Sequence, residues 1–300
     1  MKIVTTPREV REITGHARKA DARIGLVPTM GALHEGHASL IRLARERTGY
    51  VVASIFVNPT QFGPQEDLAR YPRTFESDRR LLEDLGCDLL FHPSVSDVYS
   101  PADRTRISVK ELSSVLCGAT RIAHFQGVAL IVAKLFNIVG PDEAYFGQKD
   151  AQQAVVIQRM SADLDFPVAI VLGPTVREAD GLAMSSRNVY LDAPSRARAP
   201  VIYGALCAAR ERIEAGERNP APICVMMTRS MRDGGIDVEY AAVVDGETLQ
   251  ALDRIGGIVL IAAAGGVGGT RLIDNIALKV SGTAVEETTL AFPAWSRYAR

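Results

Sequence analysis

Short apolar runs rich in β-branched residues alternate with segments of helical periodicity through the first half of the chain. This alternation constrains the fold most, because it is typical of βαβ units built around a parallel sheet. Five strands joined by right-handed crossovers would form a Rossmann-like α/β sheet. The predicted strands are residues 23–27, 50–57, 87–91, 143–146 and 168–172, and the predicted helices are residues 36–47, 75–85, 127–139 and 151–164.

The sequence changes character after Pro174. A polar loop at 177–187 precedes an Ala/Arg-rich helix, a Gly/Asn/Pro break at 216–222 and another short helix. Strand-like runs at 236–244, 258–264 and 271–280 predict a small antiparallel sheet, with the glycine run 265–269 as a turn between strands. We therefore expect a Rossmann-like domain over residues 1–175 and a smaller α+β lid domain over residues 176–300. The last twenty residues resemble a loosely held tail.

Composition limits the possible partners. Hydrophobic residues make up 47% of the chain and charged residues 23%, as is usual for soluble globular proteins. The formal net charge of −1 gives no sign of a basic surface for extended nucleic acid, although a few local donors could still hold one triphosphate. The most apolar stretch, residues 128–133, is closed by Lys134, so we expect no membrane span.

The cysteines indicate a compartment. The four cysteines form no C-x-x-C pair that would suggest zinc binding or redox chemistry. The first residues have neither the apolar core nor the cleavage site of a signal peptide. We therefore expect reduced thiols in a cytoplasmic protein.

Two histidines follow the first predicted strand of the sheet. Residues 26–37 leave that strand, pass Gly31 and Gly36, and enter a helix. In an open α/β sheet, ligands bind at this position, against the free N–H groups of the helix. His34 and His37 would share one helix face and could donate hydrogen bonds to negative charge developing on phosphates. Zinc binding remains an alternative, although the zincin spacing is one residue longer. A purely structural role for both rings is a second alternative.

A polar loop opens the second half. Ser185 and Ser186 offer hydroxyl donors, and Arg187 offers a rigid guanidinium that suits phosphate oxygens. An ordinary N-cap and turn is the alternative interpretation. The pairing of an early H-x-G-H with a late Met-Ser-Ser-Arg resembles the nucleotidyl-transferring superfamily that includes class I aminoacyl-tRNA synthetases. That resemblance implies attack on the α-phosphorus of ATP.

Further motifs narrow the resemblance to the pantothenate synthetase family. They run in family order from the first predicted strand of the sheet to residue 275, and as a set they are very specific. The motifs are residues 27–37 (VPTMGALHEGH), 54–62 (SIFVNPTQF), 71–74 (YPRT), 146–150 (FGQKD) and 270–275 (TRLIDN).

The resemblance implies an ATP site, a substrate site and three catalytic residues, which are His37, His34 and Lys149. Gln61 and Gln153 would bind pantoate, and Gln61 would also approach β-alanine. A loop-surface amide and a solvated helix face are the alternatives for these glutamines, and a surface Lys-Asp pair is the alternative for Lys149. The implied ATP-binding residues are Met30, Gly31, Ala32, Leu33, His34, Glu35, Gly36, His37, Gly147, Gln148, Lys149, Asp150, Val176, Met184, Ser185, Ser186 and Arg187.

The family further implies an activity and its partners. The enzyme would use ATP and Mg²⁺ to adenylate the carboxylate of pantoate, then join it to the amine of β-alanine, releasing AMP and pyrophosphate. Asp150 would bind the ribose or help to place Mg²⁺; no residue is predicted as a direct metal ligand. The resemblance alone implies a homodimer.

Several positions depart from the family pattern, without touching the implied catalytic residues. Segment 118–125 lacks an expected proline and glycine before His124, Gln148 is more often Glu, and Ala151 is commonly aromatic. Three rival hypotheses stay open at this stage. They are a nucleotidyltransferase that adenylates a phosphate ester, a nucleotide-binding regulatory protein without turnover, and, least favoured, a tRNA-linked synthetase.

Overall fold

The structure, a computed structural model, describes residues 1–64, 66–121 and 123–292. Ten strands are present in this part of the chain. The strands are β1 (Lys2–Val4), β2 (Ile24–Thr29), β3 (Tyr50–Ile55), β4 (Leu89–Phe91), β5 (Glu143–Gly147), β6 (Ala169–Gly173), β7 (Asp237–Asp245), β8 (Gly257–Val267), β9 (Thr270–Ser281) and β10 (Ala284–Thr288).

Ten α-helices accompany the strands in the same described ranges. Single 3₁₀ turns lie at Pro59–Gln61, Asp67–Ala69, Gln148–Asp150 and Ser186–Tyr190. The helices are α1 (Pro7–Lys19), α2 (Glu35–Arg47), α3 (Phe75–Asp84), α4 (Val95–Val98), α5 (Cys117–Thr120), α6 (His124–Val139), α7 (Ala151–Asp163), α8 (Ala193–Arg198), α9 (Val201–Glu214) and α10 (Pro220–Asp233).

The first six strands form one parallel sheet in the order β1-β4-β3-β2-β5-β6. From β2 the chain moves outward through β3 to β4, and then returns to β5 on the other side of β2. The strand order therefore reverses between β2 and β5. In open parallel sheets, the crevice outside the carboxyl ends of the strands at such a switch point is where ligands bind.

Helices cover both faces of this sheet, which explains why its strands are apolar on both sides. Helices α2 and α3 pack on one face, where Ile41 and Leu82 are fully buried. Helices α6 and α7 pack on the other face, and α6 buries twelve of its sixteen residues. The apolar run in α6 is thus a core helix. No helix in the described ranges is long and apolar enough to cross a membrane.

The last four strands form an antiparallel sheet in the order β10-β9-β8-β7. Gly268 and Gly269 join β8 to β9 with φ of +55° and +76°. Two positive φ values are what a two-residue hairpin turn of type I′ requires, so glycine suits both positions. Helices α9 and α10 cover one face of this sheet. The opposite face, with Leu260 and Ala277, joins the core beneath α6 and α7.

The predicted α/β class with a Rossmann-like sheet and a second α+β unit is confirmed, and all five predicted strands of the first sheet are present within a few residues. The sequence hypothesis missed β1 and α1. A three-residue edge strand is too short to carry a periodic pattern, and Gly15 lowers the helix propensity of α1. Thr6 and Glu9 nevertheless form a reciprocal capping box at the start of α1. The domain boundary at 175/176 stays a prediction.

Three predictions for the second half were wrong in part. The antiparallel sheet has a fourth strand, β10, and Leu290 beyond it is fully buried, so the loosely held tail does not begin at residue 281. Residues 293–300 of that predicted tail lie outside the described residues. Gly265 and Gly266 belong to β8, because β-pairing with β9 overrides their low strand propensity. Helix α10 begins inside the predicted break, with Asn219 as its N-cap and Pro220 in its first turn.

Candidate active site

A cavity of about 580 Å³ opens at the switch point of the parallel sheet. The loops that follow β2 and β5 form one side, and the polar loop of the second half and β9 form the other. The sequence-predicted residues that line the cavity are Met30, His34, Gly36, His37, Gln61, Gly147, Lys149, Asp150, Gln153, Val176, Met184, Ser185, Ser186 and Arg187. Gly31, Ala32, Leu33, Glu35 and Gln148 do not line it.

The two histidines are locked together at the start of α2. His34 is the N-cap residue, and its Nδ1 accepts the Gly36 amide at 3.2 Å. The Nδ1 of His37 accepts the His34 amide at 3.3 Å, and the ring centroids lie 4.2 Å apart. A ring nitrogen that accepts a hydrogen bond carries no proton, so each neutral imidazole has its proton on Nε2. Both rings can therefore offer an Nε2–H donor.

Burial keeps these rings neutral. It is the main cause that lowers the pKa of His34 to about 4, and the positive charge of Lys149 adds to the effect. Burial, followed by the neighbouring His34, lowers the pKa of His37 to about 3. Two neutral N–H donors with fixed tautomers suit a site where negative charge develops during reaction.

Asp78 on α3 supports the loop before the histidines. Its carboxylate accepts the amides of Ala32 and Leu33 at 2.9 and 2.8 Å, and Thr74 Oγ1 donates to it at 3.1 Å. Gly31 and Ala32 have φ of +80° and +51°, so the carboxylate holds a backbone turn that an alanine rarely adopts. Because these amides already donate to Asp78, they are not available to a ligand. This agrees with the position of Ala32 and Leu33 outside the cavity lining. Glu35 also faces away and pairs with Arg42 on the surface.

The predicted substrate-binding glutamines line the cavity, and Gln61 is fixed by its neighbours. Its Oε1 accepts Asn58 Nδ2 at 3.0 Å, and its Nε2 lies 3.2 Å from Met30 Sδ. His124 Nδ1 lies 2.8 Å from the Gln61 carbonyl oxygen and donates to it. Burial is the main cause that lowers the pKa of His124 to about 4. Gln153 lies in the first turn of α7 and remains half-buried.

Lys149 and Asp150 occupy the 3₁₀ turn after β5, across the switch point from the histidines. Lys149 Nζ is 3.8 Å from an Asp150 carboxylate oxygen, and its side chain is 20% exposed. Asn275 on β9 donates to the backbone oxygens of Gln148 and Lys149 at 3.0 and 2.9 Å. The buried Gln148 faces the second half of the chain, where its Nε2 donates to Asn275 Oδ1 at 3.2 Å.

The polar loop of the second half lies against the loop after β3. Arg187 makes a two-fold ion pair with Asp67, at 2.8 and 2.9 Å. Ser186 Oγ lies 2.9 Å from the hydroxyl of Tyr71, and Tyr190 donates to the Arg70 carbonyl oxygen at 2.8 Å. Ser185 caps the following turn. The N-cap interpretation of this loop was therefore right for Ser185, while Ser186 and Arg187 face the first half.

Sequence reasoning missed Asp67, Asp78, His124 and Asn275 as residues that support this site. Asn275 lies inside a motif used for the family resemblance, Asp67 and Asp78 lie close to one, and His124 lies in a segment that departs from the family pattern. Each of the four acts on a loop that is distant in sequence. An Asp or Asn in a polar segment carries no mark of its long-range partner. The alternative of zinc between the histidines has little geometric support. Both Nδ1 atoms accept amides and both Nε2 atoms carry the proton, so neither ring has a free nitrogen lone pair for a metal. No metal-binding group of three His, Cys, Asp or Glu is found among the described residues.

Comparisons with known proteins match this chain to one family over nearly its whole length. The sequence profile described as Pantoate-beta-alanine ligase matches residues 2–277. The pantothenate synthetase of Moorella thermoacetica is 51% identical over 282 residues, covering 94% of this chain and 100% of the relative. That of Bacillus cereus strain ATCC 10987 is 49% identical, covering 93% and 100%.

Solved structures show the same similarity. Pantothenate synthetase from Thermus thermophilus superimposes with a TM-score of 0.86 at 46% identity, covering 92% of this chain and 98% of that chain. Pantoate-beta-alanine ligase from Francisella tularensis, complexed with beta-gamma ATP and beta-alanine, gives a TM-score of 0.77 at 34% identity, with 92% and 97% covered.

Proposed function

Because the chain belongs to the pantoate-β-alanine ligase family, it is an ATP-dependent ligase that condenses pantoate with β-alanine, and we propose that the reaction occurs in the cavity at the switch point. One observation carries this assignment. The His34/His37 donors, Lys149 and the Ser185–Arg187 loop come from separate parts of the sequence, yet they line one cavity of about 580 Å³. Such a pocket is large enough for a small-molecule substrate and the reacting part of a nucleotide.

The reaction requires activation of the acid. A carboxylate does not condense with an amine in water, because its oxygen is a poor leaving group. In the first step a carboxylate oxygen of pantoate attacks the α-phosphorus of ATP, and the bond to pyrophosphate breaks. In the second step the neutral amine of β-alanine attacks the acyl carbon, AMP leaves, and the amine loses a proton. The products are pantothenate, AMP and pyrophosphate.

The cavity residues contribute positioning and charge stabilisation. His34 and His37 donate from Nε2 to the phosphate oxygens, while Lys149 supplies a positive charge across the switch point. Gln61 and Gln153 bind pantoate through amides, which can both donate to and accept from a hydroxy acid without a neutralising charge. Met184 to Arg187 close over the phosphates. The scheme needs no side-chain nucleophile.

Mg²⁺ is proposed as a companion of ATP, and the lining has one carboxylate suited to it. Asp150 is half-exposed in the cavity and lies only loosely paired, 3.8 Å from Lys149 Nζ. The other four carboxylates of the lining are held by arginines, in the pairs Glu66–Arg121, Asp67–Arg187, Glu239–Arg271 and Asp274–Arg177. Mg²⁺ in nucleotide sites is commonly bound by substrate phosphates, water and one or two carboxylates, so one available acid fits this pattern. When bound, the ion would neutralise phosphate charge.

Assembly and location are also proposals. The resemblance supports a homodimer, which light scattering after size-exclusion chromatography would test against a mass of 32.4 kDa per chain. All four cysteines are free thiols, which supports a reducing, cytoplasmic location. The near-neutral charge supports small molecules rather than nucleic acid as partners.

Pyrophosphate release tests the function. With ATP and Mg²⁺, pantoate alone should release pyrophosphate in a single turnover, and β-alanine should then give AMP and amide in multiple turnovers. Pyrophosphate that appears only when β-alanine is present would contradict the two-step order. ATP binding without any pyrophosphate release would indicate a non-catalytic homologue.

A further inference from the structure

Residues 289–292, here named the C-terminal strap, follow β10 and lie beyond the profile match at 2–277. The strap returns to the first half of the molecule. Leu290 is fully buried in the core formed with α6 and α7. A segment that buries a leucine completely is held in place, because exposing that side chain would cost about 1.5–3 kcal/mol.

Two buried glutamines bind the backbone of the strap. Gln158 on α7 donates to the Leu290 carbonyl oxygen at 2.7 Å and accepts the Phe292 amide at 2.9 Å. Gln148 accepts the Leu290 amide at 3.0 Å. Both glutamines are at most 6% exposed, so in the folded protein the strap, and not bulk water, is their hydrogen-bond partner.

Gln148 connects the strap directly to the cavity. It immediately precedes Lys149 in the 3₁₀ turn after β5, and this turn has no side-chain N-cap bond. Support comes from outside the turn. Asn275 holds the backbone oxygens of Gln148 and Lys149, and the side chain of Gln148 is fixed between Asn275 and Leu290.

We propose that the C-terminal strap is a positioning element for Lys149 in the adenylation step, acting through Gln148. The proposal rests on the proposed function, which gives Lys149 its place at the phosphates. Without the strap, the buried Gln148 amide oxygen loses its partner and the side chain must rearrange. Lys149, the next residue, is then no longer held in a fixed position relative to ATP. A displacement of about 1 Å in a charge-stabilising group costs up to about 10²-fold in rate.

Two truncations test the strap. The chain ended after Thr288 lacks it, and the chain ended after Phe292 is the matched control that retains it. The first should lower kcat/KM for ATP in pantoate-dependent pyrophosphate release by about 10- to 100-fold, with KM for pantoate changed by less than about twofold. The control should behave like the full chain. Normal ATP kinetics in the shorter chain, or the same loss in the control, would overturn the proposal.

A double-mutant cycle covers the case in which the shorter chain does not fold. Gln148→Met removes the acceptor for Leu290 and the donor to Asn275 Oδ1 while keeping the volume. Gln158→Met removes the other strap contacts together with a bond to the Ala154 carbonyl oxygen within α7. If the strap acts through Gln148, Gln158→Met should cost little once Gln148→Met is present. Fully additive losses in kcat/KM for ATP would overturn the proposal.

Lys149→Ala separates the strap proposal from the proposed function. Normal turnover in that variant would refute the role of Lys149 itself. Impaired turnover in that variant, together with normal kinetics in the strap truncation, would refute the strap proposal alone.

Discussion

At the residue scale, the environment of His34 and His37 determines their chemistry. A histidine in water is partly protonated near neutral pH, but these two rings are half-buried and each accepts a backbone amide at Nδ1. In the proposed reaction they would therefore meet the phosphates as neutral donors, and Lys149 would supply the positive charge. In this scheme the two rings provide directed hydrogen bonds, and the ammonium group provides the charge.

Removal of either kind of donor should slow adenylation. We expect His37→Ala and Lys149→Ala each to lower kcat for pyrophosphate release by at least about 10²–10³-fold, since each loses a preorganised donor to the phosphates. Circular dichroism and thermal melting should show that both variants stay folded. His16→Ala, on the exposed surface of α1, is the control and should retain the normal rate. Near-normal turnover in either site variant would refute its assigned role.

The low pKa of His37 also predicts a pH-dependent stability. In the unfolded chain its pKa is about 6.5, while in the folded protein it is about 3, so the unfolded state binds the extra proton first as the pH falls. The stabilisation is complete above about pH 6.5 and is lost as the pH falls toward 3. Between pH 7 and 5 this ring should account for about 1–2 kcal/mol of lost unfolding free energy, allowing for its partial contact with the cavity.

Urea unfolding of the ligand-free protein at both pH values measures this effect. In His37→Gln the decrease in unfolding free energy from pH 7 to pH 5 should be smaller by about 1–2 kcal/mol. His16→Gln should match the parent chain. An unchanged difference between the two pH values in His37→Gln would mean that the ring is protonated in the folded protein.

At the scale of elements, the loop between β2 and α2, which leads into the H-x-G-H motif, depends on α3, a helix outside that motif. Asp78 on α3 holds the turn between β2 and α2 through two adjacent amides and is 2% exposed. The sequence could predict both strand and helix, because their periodicity is local. It could not predict Asp78 as the partner, since the pairing depends on how α3 packs beside α2. Similarly, β1 and β10 become strands only through pairing with β4 and β9.

Asp78→Asn should disturb the loop without removing a cavity residue. The amide retains one acceptor, but its NH₂ group faces a backbone N–H, so one buried donor loses its partner. We expect a loss of about 1–3 kcal/mol in unfolding free energy. We also expect kcat/KM for ATP to fall at least about tenfold, because the His34 and His37 donors shift.

The ¹⁵N signals of the two imidazoles distinguish positioning from stability alone. They should move in Asp78→Asn while the protein remains folded. Asp84→Asn, at the exposed end of the same helix, is the matched control. Unchanged histidine signals with normal ATP kinetics would show that Asp78 contributes only to folding.

At the scale of the whole molecule, two packed units enclose the cavity. The family motifs indicated which loops would meet, because the strand ends of a parallel sheet share one edge. They did not indicate how the second unit is fixed to the first. That attachment uses buried pairs such as Gln148 with Asn275, and the strap at Leu290, which lies outside the family profile. Such contacts follow from three-dimensional packing and leave no periodic trace in the sequence.

We expect the ion pair of Arg187 with Asp67 to control opening of the Ser185–Arg187 loop. The side chains of these residues are 28% and 13% exposed, and their two-fold contact holds the Ser185–Arg187 loop over the cavity. Asp67→Asn removes the charge and one of the two acceptors. A loss of about 1.4 kcal/mol would make the open loop about tenfold more populated. Cleavage by trypsin after Arg187 should then be about tenfold faster in the ligand-free variant.

ATP with pantoate should suppress this cleavage in both proteins, because the phosphates can replace Asp67 as the partner of Arg187. Mass spectrometry identifies the cleaved bond and gives its rate. Asp163→Asn, which removes a surface ion pair with Arg159, is the control and should leave the rate unchanged. Equal cleavage in Asp67→Asn and the parent chain would show that the ion pair does not hold the loop. Equal cleavage with and without ATP plus pantoate would show that the substrates do not close it.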